Sequence, residues 1–257
     1  MGTRRCVRLA AATLALLAFR CSTAHAQWSV EGGVENFDWR EHTTPIIVHE
    51  HGPRFSFGAG VLWPRERGLL LGYRGRVYGG NVDYNGSFQF DATQPTRGAS
   101  TYLGTTQGGE LRWRWPGTAD AVLGLDYDAW RRQLSTTQEE HYRVISLCAG
   151  AEHVPGNTSR LVLGGGMRFM LAAGEDATIE EAGVTYALGL KPGLGSNPFA
   201  HAGWRVVPHV TVLTYWDGMS LGRSNEIVLL KRGKPRAVVS QPDTDVTRVG
   251  VRVLYAW

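Results

Sequence analysis

The final stretch of the sequence, Thr247–Trp257, constrains the fold more than any other part of the chain. In an extended strand its residues alternate between two faces, and from Val249 onward one of these faces carries only apolar and aromatic side chains. The opposite face carries Arg248 and Arg252 among small and apolar residues. A wholly apolar face beside a mixed one, with an aromatic residue at the end, is typical of a transmembrane β-strand whose two faces meet lipid and a lumen.

The apolar face of this strand also resembles a known signal. Bacterial outer-membrane proteins finish on an aromatic residue with apolar residues alternating before it, and that assembly signal would here be Val249, Val251, Val253, Tyr255 and Trp257. The resemblance implies an integral β-barrel that the barrel-assembly machinery inserts among outer-membrane lipids. The alternative is an ordinary half-buried strand at the end of a soluble β-sandwich.

Residues 1–26 predict a secretory signal peptide. Three arginines precede the short apolar run 9–19, and Ala24-His25-Ala26 has the small–x–small form of a cleavage site. The run is too short to cross a bilayer as a helix. Cys21 would suit a lipoprotein, but Arg20 stands where a small residue is expected. The barrel domain is therefore expected to span residues 27–257.

Removal of that signal changes the charge of the protein. Four of the 27 basic residues lie within residues 1–26, which contain no acidic residue, so 23 basic and 23 acidic residues remain. The formal charge of +4 thus belongs to the signal. A balanced charge and export both argue against nucleic acid as a partner. Cys148 is then the one remaining cysteine, and we expect it to be an apolar filler rather than a reactive thiol.

Alternating segments separated by turn residues predict an antiparallel up-and-down barrel of about ten strands, with eight or twelve as alternatives. Short connections are expected near 64–68, 116–120, 154–159 and 191–198 and would face the periplasm. Longer ones near 40–53, 81–100, 132–141, 172–181 and 217–245 would face outward, the last of them as a hairpin beyond the membrane. Strand extensions are an alternative to a loop within 81–100. Phe37 and Trp39 break the alternation of the first strand, which suggests a bulge near Gly32 or Asn36. The segment 199–216 is predicted as a single strand interrupted by Pro208.

Aromatic residues gather at the predicted periplasmic ends of the strands. Trp and Tyr favour membrane interfaces, so Tyr255 and Trp257 are expected to form a girdle there with Trp28, Trp63, Trp113 and Trp115. The alternative fold is a soluble lipocalin-like barrel with its apolar residues inside. Alternation alone does not say which face meets water, but inward charges and interfacial aromatics favour the membrane.

The inward face of the predicted barrel is rich in charged side chains. In a narrow lumen these need partners, so a network of Arg–carboxylate pairs is favoured over an ion pathway. The predicted members are Glu31, Glu35, Arg54, Arg74, Arg76, Glu110, Arg112, Arg114, Asp126, Asp128, Glu152, Arg168, Arg248 and Arg252.

Enzymatic and metal sites are weaker hypotheses. Asp126 and Asp128 are similar to the paired aspartates of omptin proteases, but the resemblance ends there, since Asp217 is expected to stand alone. A cluster of His42, His49 and His51 with Glu50 in the first outer loop matches no standard metal signature. No Gly-x-Ser-x-Gly motif is present. We therefore predict no catalytic residue, no metal and no cofactor.

The expected function is structural or surface-binding. The protein would be a monomeric outer-membrane barrel with a charge-filled lumen and extended surface loops. A rim-sited enzyme that acts on lipid A, phospholipid or peptide is the first alternative, and a narrow pore is the second.

Overall fold

The computed structural model describes residues 26–63, 68–88, 91–115, 119–153, 160–181, 183–231 and 233–257. Most of the predicted signal peptide, residues 1–25, lies outside this description, as do most residues of three predicted short turns. The strands are β1 (Gln27–Glu41), β2 (Val48–Trp63), β3 (Gly68–Phe88), β4 (Asp91–Arg114), β5 (Ala119–Gln133), β6 (Gln138–His153), β7 (Leu161–Glu181), β8 (Val184–Leu190), β9 (Gly193–Leu194), β10 (Ser196–Val207), β11 (Val210–Gly222), β12 (Ile227–Lys231), β13 (Lys234–Val239) and β14 (Thr244–Ala256). No helix among the described residues has the length and apolarity of a membrane span.

Ten strands close into one antiparallel barrel, in the order β1 to β7, β10, β11 and β14. The barrel closes where β14 pairs with β1, from Ser29 opposite Ala256 to Glu41 opposite Thr244. At the end of this seam the backbones of Trp28 and Trp257 exchange hydrogen bonds of 3.1 and 3.0 Å. The predicted all-β, up-and-down barrel of about ten strands is therefore confirmed. We call the end that holds Trp28 and Trp257 the turn rim, and the opposite end the loop rim.

The outer surface of the barrel carries an apolar band. On β2 the side chains of Phe55 and Phe57 are 65% and 61% exposed, because alternate residues of each strand point away from the lumen. The polar exceptions on β4 are hydrogen-bonded: Thr105 donates to the carbonyl of Arg76, and Gln107 accepts from the hydroxyl of Tyr73. The wall thus presents to its surroundings the composition that a soluble protein would bury.

Beyond this band the same outward faces become polar. On β1 the outward face changes from apolar to polar residues after Val34, and on β14 it does so before Val249, towards the loop rim. The residues that follow on these faces form a polar belt around the loop rim, which includes Asp38, Arg40, His49, His51, Asn81, Asp83, Thr101, Arg131, His141, Arg143, Asp176, Ser220, Asp245 and Thr247. The strands therefore extend past the apolar band, and their outer ends form a separate zone of the molecule.

Two of the predicted barrel strands were assigned wrongly, although the total was right. Strand β8 pairs with the outer end of β7, and β10 continues in the same register on its inner end, with Leu190 opposite Glu175 and Ser196 opposite Phe169. Residues 191–195 therefore interrupt a single strand and do not form a periplasmic turn. The turn at the turn rim is instead Pro208-His209, with His209 in the left-handed region at a φ of 72°. The segment predicted as a single strand with a proline interruption is a hairpin.

Strand β1 contains no bulge. Its pairing with β14 runs without a register shift through Gly32 and Asn36, so the predicted bulge is wrong. Phe37 and Trp39 break the outward apolar pattern because they point inward, where they are 2% and 0% exposed. Aromatic residues on the inner face of a barrel give the same signal as a change of register, and the sequence pattern does not separate the two.

Several predicted outer loops are strand extensions. Strands β3 and β4 stay paired from Asn81 opposite Thr101 to Ser87 opposite Pro95, within the stretch predicted as a polar loop. The first loop contains only residues 42–47, because β2 begins at Val48. The hairpin predicted beyond the membrane is present as β12 and β13.

Inward glycines let long side chains lie flat across the neighbouring strand. A Cβ on Gly72 would stand 2.6 Å from Cγ of Glu110, and a Cβ on Gly250 would stand 2.8 Å from Cε1 of Tyr215. Such distances are well inside van der Waals contact, so a side chain at either position would displace its neighbour. Glycines on one strand of the lumen therefore leave room for large charged or aromatic side chains of the neighbouring strand.

Candidate functional site

The lumen is the candidate functional site, and its middle is held together by buried ion pairs. Glu35 accepts hydrogen bonds from Arg54 and from the hydroxyl of Tyr215. Arg76 lies 3.7 Å from the same carboxylate. Arg54 also stacks on the ring of Phe37, with its guanidinium carbon 3.8 Å from the centroid. Glu35 thus holds Arg54 through hydrogen bonds, which help a buried pair to offset its desolvation. It faces Arg76 without a hydrogen bond, and Nη1 of Arg76 is buried without a partner among the described residues.

A second set of pairs in the middle of the lumen joins four strands. Arg248 on β14 lies 3.3 Å from Asp128 on β5 and 2.9 Å from Asp217 on β11. Asp217 also pairs with Arg168 on β7, and Asp128 accepts a hydrogen bond of 2.7 Å from Tyr78. Asp217 was expected to stand alone, and this expectation is wrong. The four strands are therefore cross-linked through the interior.

Towards the turn rim the ion pairs lie along the wall. Arg112 contacts both Glu110 at 2.7 Å and Glu152 at 3.0 Å. Glu152 lies 3.3 Å from His201. Arg114 binds the fully buried Asp120, which was not predicted as a member of the network, at 2.8 Å. Each carboxylate here is held by an arginine on its own strand or within two strands of it, so the centre of the lumen stays open.

A cavity of about 540 Å³ occupies this turn half of the lumen. It reaches the strand ends at Gln27, Leu62 and Ala256. Most of the predicted ion-pair residues at this level line it: Glu31, Arg74, Glu110, Arg112, Arg114, Asp126, Glu152, Arg168 and Arg252. Arg74 differs from the others because it forms no ion pair with a described residue. Inward glycines such as Gly108, Gly124 and Gly150 leave the space that the cavity fills.

The loop half of the lumen is filled by an aromatic plug, which the sequence analysis missed. Trp39 packs edge-on against Trp130 and Tyr142, with ring centroids 6.5 and 5.5 Å apart. Trp130 and Tyr142 stack at 4.9 Å, and Phe37 lies 4.8 Å from Tyr102. We use the name aromatic plug for these five rings and the apolar residues packed with them, which are Tyr78, Val82, Val144, Met170, Met219, Leu221 and Val246.

Beyond the plug one arginine faces several carboxylates. Arg132, which is 1% exposed, lies 2.7 Å from Glu41 and 2.8 Å from Glu140, and it also pairs with Glu50. Glu175 completes what we call the Arg132 cluster. The cluster lies at the level of the polar belt, beyond the apolar band, since His141 and Asp176 are the outward neighbours of Glu140 and Glu175.

The Arg132 cluster holds more negative than positive charge. Burial, and then the charge of Glu140, raise the pKa of Glu175 to about 9. Burial also raises the pKa of Glu140, against the opposing effect of Arg132. One oxygen of Glu175, Oε2, is buried without a hydrogen-bond partner. A proton retained on Glu175 reduces the charge that a single guanidinium must balance.

The β12–β13 hairpin packs over the interior at the loop rim. Leu229 is buried against Ala177 and Ile179 of β7 and against Tyr186 and Leu188 of β8. Just after the hairpin, Gln241 accepts a hydrogen bond of 3.1 Å from Tyr142 of the plug. The segment that follows the hairpin is therefore tied to the plug, whereas the hairpin itself packs in a separate apolar cluster.

The residues considered for catalysis or metal binding take other roles. Asp126 accepts a hydrogen bond of 3.3 Å from Cys148 and, like Asp128, faces arginine. His49 lies on β2 and pairs with Asp38 at 2.8 Å, whereas Glu50 points inward to Arg132. The first-loop cluster is therefore split between two faces. No group of three or more His, Cys, Asp or Glu in the described part of the chain is arranged to hold a metal.

The predicted girdle residues lie together at the turn rim. The rings of Trp28 and Trp63 contact edge-on at 6.4 Å, and those of Tyr255 and Trp257 lie 5.6 Å apart. Trp113 and Trp115 are each about half exposed on the outer wall. Trp204 joins them at the end of β10 and is 51% exposed. It was missed because its strand was assigned wrongly, although an aromatic residue shortly before a proline turn was available as a signal.

The terminal strand has the geometry that its pattern predicts. Val249, Val251 and Val253 point outward with 41–49% of their surface exposed, and Tyr255 and Trp257 continue that face. Arg248 and Arg252 point inward, and Arg252 lies 3.8 Å from Glu31.

Comparison with known proteins identifies the fold but no family. No protein-family model and no curated protein matches the chain. Among solved structures, the outer membrane protease OmpT from Escherichia coli aligns with a TM-score of 0.54 at 7% identity, over 92% of this chain and 98% of OmpT. This likeness, together with the closed barrel, shows the fold of bacterial outer-membrane β-barrel proteins.

Other solved barrels align with lower scores. The translocator domain of the autotransporter NalP from Neisseria meningitidis has a TM-score of 0.42 at 8% identity, over 97% of this chain and 96% of that domain. Ail, the attachment invasion locus protein of Yersinia pestis, has a TM-score of 0.35 at 9% identity, over 90% of this chain and 99% of Ail.

Proposed function

We propose that this protein is an integral outer-membrane β-barrel that is closed to solutes and serves as a rigid support for a surface-binding loop rim. The observation that carries the proposal is the length of the apolar band. Its outward faces run from Phe55 to Trp63 on β2 and from Val249 to Trp257 on β14, nine residues each. A transmembrane β-strand needs about 9–11 residues.

The boundaries of the band support the same proposal. Aromatic residues stand at its turn-rim end, as at a membrane interface. At its loop-rim end the outward faces become charged, as expected where the wall leaves the membrane for water. In this orientation the turn rim faces the periplasm and the loop rim faces the exterior. An exported chain with a terminal assembly signal would reach this position through the barrel-assembly machinery.

The filled loop half of the lumen argues against a pore. Ions and solutes pass through a barrel only where water is continuous, and the aromatic plug and the Arg132 cluster occupy the cross-section with side chains that are mostly under 10% exposed. A closed interior with extended outer strands favours a role at the surface.

Cell fractionation and gel mobility test the membrane placement. We expect the protein in the detergent-solubilised envelope, and we expect it to run faster on a gel unboiled than boiled, because a closed barrel resists unfolding by detergent. Recovery in the soluble periplasm would overturn the proposal. Single-channel recording in planar bilayers tests the closed lumen, and stable conductance steps would contradict it.

The assembly signal has its own test in Trp257→Asp. The substitution removes the aromatic end of the outward face, so we expect a sharp fall in heat-modifiable barrel per total protein in the envelope. Arg252→Gln on the inward face of the same strand is the matched control and should leave the amount close to that of the unmodified protein. Equal yields for Trp257→Asp and the unmodified protein would remove the assembly role of this strand.

A further inference from the structure

The turn-half cavity has a surplus of positive charge. Its described lining contains five carboxylates: Glu110 and Glu152 face Arg112, Asp126 and Asp217 face Arg168, and Glu31 lies 3.8 Å from Arg252 without a hydrogen bond. The same lining contains six arginines. The carboxylates of the lining therefore leave some of its guanidinium groups without a hydrogen-bonded partner.

Three of these arginines make no side-chain hydrogen bond with any described residue. Arg74 on β3 and Arg205 on β10 form no ion pair in the described part of the chain. Arg252 on β14 approaches Glu31 only to 3.8 Å, and its Nε is buried without a partner. A guanidinium carries five N–H donors and has no way to lose its charge. These three groups therefore bring a large unmet donor capacity to one cavity.

The three arginines approach the cavity from different sides. Strands β3 and β10 are five strands apart in either direction around the ten-stranded barrel, so Arg74 and Arg205 project from opposite walls. Arg252 projects from between them, and Arg74 is close enough to Arg252 to repel it. Its guanidinium plane is held over the ring of Tyr215, with 3.8 Å between the carbon and the centroid. Packing rather than a carboxylate thus fixes its position.

We propose that this cavity binds a small molecule through an oxyanion, either phosphate or carboxylate, that enters from the turn rim. Guanidinium forks match the oxygens of both groups and bind them in pairs. An anion between Arg74, Arg205 and Arg252 offsets the repulsion between Arg74 and Arg252 and supplies acceptors for all three guanidinium groups. The volume of about 540 Å³ suits a metabolite-sized ligand and excludes a folded domain.

Calorimetry of the detergent-purified barrel with two probes tests the proposal. Inorganic pyrophosphate and citrate are titrated separately, and the stronger binder identifies the preferred oxyanion. We expect one site per barrel, with affinity that falls as salt is added. Arg74→Gln and Arg205→Gln should each weaken binding by about tenfold or more, because each removes a charge-assisted contact. Arg143→Gln, an exposed arginine of the polar belt, should bind as the unmodified protein does.

Cys148 gives a readout that does not depend on a variant. Its thiol lines the cavity beside Asp126. We expect bound pyrophosphate or citrate to slow the labelling of this thiol by a neutral disulfide reagent, measured on the Cys148 peptide by mass spectrometry. Failure of both probes to bind overturns the proposal. Binding that leaves the labelling of Cys148 unchanged also overturns it, because the anion would then sit elsewhere.

Discussion

The two halves of the lumen are built on the same wall and are filled in opposite ways. In the turn half, inward glycines and charged residues surround a cavity of about 540 Å³, and ion pairs such as Arg112–Glu110 lie along the wall. In the loop half, the rings of Trp39, Trp130 and Tyr142 meet across the interior. In both halves alternate residues of each strand point outward and inward. The size of the inward side chains, and not the strand pattern, therefore decides whether the barrel is open or closed at each level.

The two halves of the lumen also differ in how their charged side chains are balanced. The turn half holds arginines without a partner in a space that can admit ligand or water. The loop half holds Arg132 among four carboxylates with no space around it. An unpaired charge is tolerable where water can reach it and costly where it cannot. The same type of substitution should therefore have different consequences in the two halves.

The largest difference is expected for the loss of an arginine. Arg132→Leu would leave Glu41, Glu50 and Glu140 buried without a cation, and we expect it to lower the free energy of unfolding by about 3–5 kcal/mol at neutral pH. Arg74→Gln, in the open half, should cost less than about 1 kcal/mol. Denaturant titration in detergent micelles measures both. Equal costs would show that the two halves do not differ in their access to water.

The second-largest loss of stability is expected when a large apolar side chain is truncated. Trp39→Ala removes a fully buried ring from the aromatic plug, and we expect a loss of about 3 kcal/mol, at the low end for a buried tryptophan because neighbouring rings can move inward. Trp204→Ala is the matched control, since its ring lies half exposed on the outer wall of the turn half. The same titration should find a clearly smaller loss. A larger loss for Trp204→Ala would contradict the packing described for the plug.

The closed half should also respond to pH. Because the pKa of Glu175 is raised to about 9 from an ordinary value near 4.5, the folded protein keeps a proton that the unfolded chain releases between those values. Stability should therefore fall as the pH rises through this window. Glu175→Gln should reduce this slope, with Glu140 contributing the rest, and should be more stable near pH 9 by about 1–3 kcal/mol.

The control for this pH dependence is the adjacent residue. Asp176→Asn changes an outward, exposed carboxyl that pairs with Arg143, and the slope should stay as it is in the unmodified protein. Denaturant titrations at several pH values supply both slopes. If Glu175→Gln and Asp176→Asn give the same slope, the Arg132 cluster does not hold the proton.

The smallest effect concerns the glycines of the turn half. Gly72→Ala places a Cβ 2.6 Å from the side chain of Glu110, and we expect a loss of about 1 kcal/mol as that carboxylate moves away from Arg112. Gly109→Ala, one residue from Glu110, has no atom within 4 Å of the added carbon. Its titration should show no loss, or a slight gain from the reduced freedom of the unfolded chain.

The wall of the barrel could be predicted from the sequence, because it depends on local alternation. The apolar outward face, the strand total and the inward placement of residues such as Arg54 and Arg248 all follow from a period of two. The two predicted strands on either side of residues 191–198 were misassigned for a physical reason. Pro192 and Gly193 have the composition of a turn, yet residues 191–195 only interrupt the pairing with β7, which resumes in the same register, while Gly193 and Leu194 pair with β11.

The filling of the loop half could not be predicted because it depends on contacts between distant strands. Glu50 is 82 residues from Arg132 in sequence, and nothing near either residue signals the pair. Phe37 and Trp39 were noticed, but alternation allowed both a bulge and an inward position. The cavity was also missed, since glycines on separate strands define it only after the barrel closes.

Site-directed spin labelling of β2 tests the central claim, that the outer wall meets lipid and the loop rim stands in water. Labels at Phe57 and His51 both point outward, and Ser56 points inward. In lipid vesicles we predict that a label at Phe57 is relaxed strongly by oxygen and weakly by a water-soluble nickel reagent, and that a label at His51 shows the reverse. Equal access of the nickel reagent to both labels would contradict the membrane barrel.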